Sequence, residues 1–111
     1  MKTLEQLSVS LGLKHVCGSL DREITGCYAG DLLSWVMSNA QYGDVWITIM
    51  SNVNVVAVAS LTEAACVVLA EGVELDSAAL EAATAKDITV FSDSRSVYEL
   101  CCAVGKFMAD E

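Results

Sequence analysis

Small polar residues follow two of the strands that the sequence predicts, at the points where those strands end. They are Thr48, Ser51, Asn52 and Asn54 after one strand, and Ser92 and Asp93 after the other. Each tract also opens a predicted helix, whose first turn offers free amide donors and the positive end of the helix dipole. Hydroxyl and amide side chains beside such donors predict a site for a phosphate or carboxylate group. Ordinary helix capping is the alternative, because Asn and Ser are preferred capping residues.

Residue sets that are typical of catalysis do not stand out elsewhere. The sequence has no P-loop, no GxGxxG turn and no GxSxG elbow. A small enzyme that uses Cys27 or Cys17 would need a positive group to lower the pKa of the thiol, and only Arg22 or His15 lies near in sequence. The sequence therefore favours a protein without catalytic activity, and it predicts no cofactor.

The five cysteines predict free thiols in a reducing compartment. Their number is odd, none is part of a CxxC pair, and several lie in apolar runs where Cys behaves as a small hydrophobic residue. A zinc site is disfavoured because His15 is the only histidine and no ligand pairs occur at finger spacing. We therefore predict buried thiols and no bound metal.

The pattern of apolar residues predicts the elements that position the polar tracts. Helices are predicted over residues 4–11, 32–40, 53–63, 77–86 and 95–108, and strands over residues 24–29, 45–50, 64–70 and 88–91, after a short extended segment at 13–17. Thr3, Asp31, Asn52 and Asp76 are the predicted N-caps, and residues 92–94 form a predicted capping turn. The Val-rich residues 53–61 would also suit a strand, but their place between two strands favours a helix.

This alternation predicts a single α/β domain over residues 1–111, with three layers. A mainly parallel sheet is flanked by helices, in a βαβαβα core that follows an N-terminal helix and short strands. Ligands of open α/β sheets bind at the carboxyl ends of the strands, so the polar tracts above are expected to share one edge. The length of 111 residues fits one domain.

The charge of the chain disfavours several classes of partner. Its formal net charge is −9, from 15 acidic and 6 basic residues, and the basic residues are scattered singly. Binding to nucleic acid or to an anionic membrane surface needs clustered Lys and Arg and is therefore disfavoured.

The N-terminus lacks an apolar signal core, and the longest apolar stretch, residues 64–70, is too short to span a bilayer. We expect a cytoplasmic protein.

Three tracts of the sequence resemble the DRTGG domain family. They are residues 20–34 (LDREITGCYAGDLLS), residues 43–48 (GDVWIT) and residues 52–59 (NVNVVAVA). Asp21, Arg22, Thr25 and Gly26 match the residue types that name the family, although the motif is not contiguous and Cys27 takes the place of its second Gly. The turn at Ser51-Asn52 is the alternative position for these named residues. The likeness extends over nearly the whole chain.

The resemblance implies a regulatory α/β module without established catalytic activity. Relatives are fused to CBS-domain pyrophosphatases and phosphate acetyltransferases, the fold is similar to the N-terminal domain of HPr kinase/phosphorylase, and family members tend to pair as dimers. We therefore expect a homodimeric ligand-sensing module that binds a small anion or nucleotide. The alternative is a scaffold subunit that binds a protein partner and has no ligand of its own.

Overall fold

Five strands form one sheet, and helices lie on both of its faces. A computed structural model describes residues 1–110. The strands are β1 (Lys14–Cys17), β2 (Gly26–Ala29), β3 (Asp44–Thr48), β4 (Cys66–Leu69) and β5 (Val90–Ser92). The helices are α1 (Leu4–Leu11), α2 (Leu33–Asn39), α3 (Val53–Thr62), α4 (Ser77–Ala85) and α5 (Val97–Ala109).

The sheet has the strand order β1-β5-β4-β3-β2. The strands from β2 to β5 are parallel neighbours, and β1 runs antiparallel along the far side of β5. Each crossover moves one strand further in the same direction, so right-handed connections place α2, α3 and α4 on one face. Helices α1 and α5 cover the other face. The predicted three-layer α/β fold with a mainly parallel sheet is confirmed.

Two apolar clusters, one on each face of the sheet, hold the layers together. Trp46 and the apolar residues of α3 belong to one cluster, and Phe91 with Leu4 and Leu100 belongs to the other. Strand β4 is buried at every position, as its unbroken apolar run predicts for a central strand covered on both faces. The side chains of β4 belong alternately to the two clusters. Because full burial of one large apolar side chain contributes about 1.5–3 kcal/mol, this strand anchors both clusters.

Local signals define most of the helix ends. Thr3, Asn52 and Asp76 accept hydrogen bonds from backbone amides in the first turns of α1, α3 and α4, as predicted. Gly12 ends α1 with φ of +68°, a left-handed conformation that costs glycine little. The Val-rich residues of α3 are helical, as their position between two strands indicates.

Several predicted boundaries and caps are wrong. Asp31 does not cap α2: the N-cap is Leu32, which makes no side-chain hydrogen bond. Ser92 lies inside β5 instead of in a turn, and α5 is capped by Ser96, whose hydroxyl accepts from the amide of Glu99. Strand β2 begins at Gly26, because the amide of Ile24 donates to the carbonyl of Lys2 in front of α1.

Within residues 1–110, no helix is both long and apolar enough to cross a membrane. Over the same residues, no three His, Cys, Asp or Glu side chains are grouped closely enough to hold a metal ion.

Candidate functional site

The residues predicted for the site lie at two opposite edges of the sheet. Thr48, Ser51, Asn52, Asn54, Ser92 and Asp93 lie at the carboxyl ends of β3 and β5, whereas Asp21, Arg22, Thr25 and Gly26 lie at or before the start of β2. Strand β2 runs parallel to β3, so the residues that precede β2 must lie at the amino edge. The structure therefore brings together the polar tracts at the strand ends, but it separates them from the residues that the family resemblance named.

A contact between Asp31 and Thr48 joins the ends of β2 and β3. The Thr48 hydroxyl donates to Oδ1 of Asp31 over 2.6 Å, and the amide of Ile49 donates to the same oxygen over 3.1 Å. Thr48 is fully buried and Asp31 is exposed. Both hydrogen bonds use Oδ1, and within the described residues Oδ2 of this exposed side chain accepts no hydrogen bond. Sequence reasoning missed Asp31 as a site residue because an Asp before a helix is typical of a cap.

The segment between β3 and α3 continues this edge of the sheet. Asn52 caps α3 by accepting from the amide of Asn54 over 3.0 Å, which agrees with the capping alternative. The carbonyl of Ser51 accepts from the amide of Asp76 and so joins the end of β3 to the start of α4. Asn54 lies exposed in the first turn of α3. Asn54 therefore presents an exposed side-chain amide at the start of α3.

Apolar side chains surround the Asp31–Thr48 contact. Leu32 is 61% exposed, Ile49 43% and Val53 47%. These three follow Asp31, Thr48 and the Asn52 cap directly in sequence. The edge formed by the ends of β2 and β3 thus combines a carboxylate acceptor, an amide side chain and an exposed apolar rim.

The end of β5 forms a separate shallow depression of about 320 Å³. Asp93 lines it, but both carboxylate oxygens of Asp93 accept hydrogen bonds from the guanidinium of Arg95, each over 2.8 Å. This hydrogen bonding holds the pKa of Asp93 below its usual value. Arg95 also donates to the carbonyl of Leu11, so the pair fastens α1 to the turn before α5. Asp93 is accounted for by this structural role.

The amino edge contains a cavity of about 350 Å³, lined in part by Arg22, Tyr42 and Glu63. Arg22 pairs with Asp87 over 3.4 Å and also donates to the carbonyl of Asp87. The Ser19 hydroxyl donates to Asp87 as well, and this hydrogen bond is the main reason that the pKa of Asp87 is lowered. Thr25 donates to the carbonyl of Tyr42. These side chains fasten loops around the cavity to the sheet.

Four of the five thiols are poorly suited to act as nucleophiles. Desolvation by the surrounding protein raises the pKa of Cys27 to about 12, and it also raises the pKa of Cys17, Cys66 and Cys101. A thiol with a raised pKa is rarely a thiolate at neutral pH and is a poor nucleophile. The prediction that the thiols are buried is right only for Cys66, because Cys17 and Cys101 are half-buried and Cys27 and Cys102 are exposed. A catalytic role for Cys17 or Cys27 is not supported.

The fold is similar to that of a solved regulatory region. The neighbour comprises the CBS and DRTGG domains of the regulatory region of a Clostridium perfringens pyrophosphatase, in complex with its activator diadenosine tetraphosphate. The two structures align with a TM-score of 0.71 over 92% of this chain, and 11% of the aligned residues are identical. This chain spans 45% of the neighbour, which is less than half of its length. No protein-family model and no curated protein matches the sequence. At this identity the likeness shows the fold alone.

Proposed function

We propose that this chain is a DRTGG-type regulatory module that senses a small nucleotide or a related anion, without catalytic activity of its own. The observation that carries the proposal is the shared fold, because the neighbour belongs to a regulatory region that binds an activating dinucleotide. The resemblance of residues 20–34, 43–48 and 52–59 to the DRTGG family points in the same direction. The proposal includes a homodimer that acts in the cytoplasm.

The proposed site is the carboxyl edge of β2 and β3. Oδ2 of Asp31 supplies an acceptor for a ribose hydroxyl, a role that acidic side chains take in other nucleotide-binding α/β folds. The side-chain amide of Asn54, at the positive end of the α3 dipole, supplies a donor for a phosphate group. The exposed side chains of Leu32, Ile49 and Val53 supply apolar surface for a base. A nucleotide uses all three features, whereas inorganic phosphate uses one.

The test is a thermal-shift screen of the full chain against AMP, ADP, diadenosine tetraphosphate, acetyl phosphate and inorganic phosphate. A ligand at about 100 times its dissociation constant adds about 2.7 kcal/mol to the free energy of unfolding. We expect a nucleotide to raise the melting temperature, and we expect Asn54→Ala to abolish this shift without lowering the melting temperature of the free protein.

Arg22→Ala is the matched variant at the opposite edge, and it should leave the nucleotide shift unchanged. Loss of the shift in Arg22→Ala but not in Asn54→Ala would move the site to the cavity at the amino edge. If none of the five compounds changes the melting temperature, the ligand-sensing proposal is wrong for these ligand classes.

A scaffold without a ligand is the second candidate function. The observation that favours it is the internal use of the predicted side chains: Thr48 bonds to Asp31, Asn52 caps α3 and Asp93 pairs with Arg95. A scaffold predicts a negative ligand screen together with a stable protein assembly.

A further inference from the structure

Charge is distributed very unevenly along this chain. Only one of the 15 acidic and 6 basic residues, Asp44, lies between residues 32 and 62. Asp44 is buried, with 6% of its surface exposed. The described surface that this segment contributes therefore carries no exposed ionisable acid or base of the Asp, Glu, Lys or Arg type. The acidic surface of the molecule comes from the residues on either side of the segment.

The same segment exposes most of the large apolar side chains on the surface. Among the described residues, eleven large hydrophobic side chains are exposed, and seven of them lie between residues 32 and 62. They are Leu32, Trp35, Met37, Tyr42, Ile49, Val53 and Leu61. An aromatic, Met-containing and uncharged surface has the composition of the centre of a protein interface.

Helices α2 and α3 carry most of this surface. They pack side by side on the same face of the sheet, and both bury their inner side in the cluster around Trp46. Exposed Val53, Ala57 and Leu61 are spaced four residues apart, so they form one outward stripe along α3. Asn54 and Ser60 are exposed beside this stripe, so the outward side of α3 is apolar and uncharged polar. We call the outward side of α2 and α3, with Leu32 and Ile49, the uncharged face.

We infer that the uncharged face pairs with the same face of a second copy of this chain. Two copies, each with a net charge of −9, repel each other over the rest of their surface. The uncharged face is the place where they can approach without bringing like charges together. A basic partner would instead be drawn to the acidic surfaces, where its charges are matched. A two-fold axis through the face makes it self-complementary.

This inference rests on the homodimer that is part of the proposed function, and it names the surface that forms it. It also places the Asp31–Thr48 edge beside the interface, because Leu32 and Ile49 follow Asp31 and Thr48 directly. The ligand experiments above do not depend on it.

The test measures the mass in solution by sedimentation equilibrium, for the wild type and for four variants. Leu61→Glu and Trp35→Glu place a charge on the uncharged face. Val9→Glu on α1 and Tyr98→Glu on α5 are the controls, since these side chains are 78% and 77% exposed, comparable with 71% for Leu61 and 62% for Trp35. Circular dichroism and melting temperature confirm that each variant is folded.

We expect the wild type to have twice the 11.8 kDa mass of the chain. Leu61→Glu and Trp35→Glu should weaken the dimer by about thirtyfold or more, the effect of a change at an interface hot spot. The two control variants should leave the dissociation constant unchanged. A monomeric wild type, or a dimer that only the control variants weaken, would overturn the inference.

A nucleotide shift measured on the same samples separates the two proposals. A folded, monomeric Leu61→Glu variant that still binds nucleotide supports both the uncharged face and the ligand site. A dimeric wild type that binds none of the nucleotides rejects the ligand site and leaves the pairing surface in place.

Discussion

Asp31 is an exposed carboxylate that satisfies a buried hydroxyl. Thr48 is fully buried at the end of β3, and its hydroxyl donates to Oδ1 of Asp31 over 2.6 Å. A buried donor without an acceptor costs about 1–3 kcal/mol, more than the roughly 1 kcal/mol that an average hydrogen bond contributes. The position of Asp31 is therefore fixed from within the fold, and this also fixes the acceptor that we assign to the ligand.

Replacing Asp31 should test this contact directly. We expect Asp31→Ala to lower the free energy of unfolding by about 1–3 kcal/mol, because the Thr48 hydroxyl loses its acceptor. Urea unfolding measures the change. In a Thr48→Val background there is no hydroxyl to satisfy, so Asp31→Ala should cost less. Equal costs in the two backgrounds would show that the contact contributes nothing to stability.

The Asp93–Arg95 pair should make stability depend on pH in the acid range. Hydrogen bonds from Arg95 lower the pKa of Asp93 in the folded protein, so the folded state binds this proton more weakly than the unfolded chain does. The contribution is fully present above the unfolded-state pKa of about 3.9 and is lost as the pH falls through the folded-state pKa.

Asp93→Asn is the variant that reports this dependence. We expect it to be less stable than the wild type at neutral pH, and we expect the difference to shrink as the pH falls through the range in which Asp93 is protonated. Urea unfolding at a series of pH values measures both proteins. A difference that stays constant across the acid range would contradict the assigned role of the pair.

Elements whose ends are set by local chemistry could be predicted from sequence, and those set by tertiary contacts could not. Asn52 caps α3 through an amide two residues away, which is a signal contained in the sequence. Asp31 occupies a similar position before α2, but it bonds to Thr48 across the sheet, 17 residues along the chain. The start of β2 is likewise set by a contact with the segment before α1.

The turn after β1 depends on close contact between its backbone and Thr89, the residue directly before β5. Gly18 has φ of +92°, and a Cβ atom placed on it would lie 2.4 Å from the Cα atom of Thr89. Gly12 after α1 has a similar φ of +68° but open space around it. The two glycines therefore separate the cost of the conformation from the cost of the clash.

Gly18→Ala should destabilise the protein more than Gly12→Ala does. Both variants pay about 1–2 kcal/mol for a left-handed residue that is not glycine, and only Gly18→Ala adds a clash with backbone atoms that cannot move independently. Thermal and urea unfolding of the two variants measure the difference. Equal destabilisation would mean that the turn moves away from Thr89 at no cost.

The edges of the sheet explain why the predicted site was only partly assembled. Parallel strands bring their carboxyl ends to one edge, and this rule correctly grouped Thr48, Asn52 and Ser92. Asp21 and Arg22 were assigned from family resemblance, and they lie at the opposite edge because they precede β2. Which edge binds a ligand is thus a question of topology that a short motif does not answer.

The distribution of charge predicts how the proposed dimer responds to salt. Each copy carries a net charge of −9, and the face that we assign to the interface carries no exposed charged side chain. Salt shortens the reach of repulsion between the acidic surfaces, from about 10 Å at 0.1 M to about 3 Å at 1 M ionic strength. Salt leaves apolar contacts intact.

We therefore expect the dissociation constant of the dimer, measured by sedimentation equilibrium, to fall as sodium chloride is added. An interface held by ion pairs would behave in the opposite way, and a dissociation constant that rises with salt would place the contact where basic and acidic side chains of the two copies pair, instead of on α2 and α3.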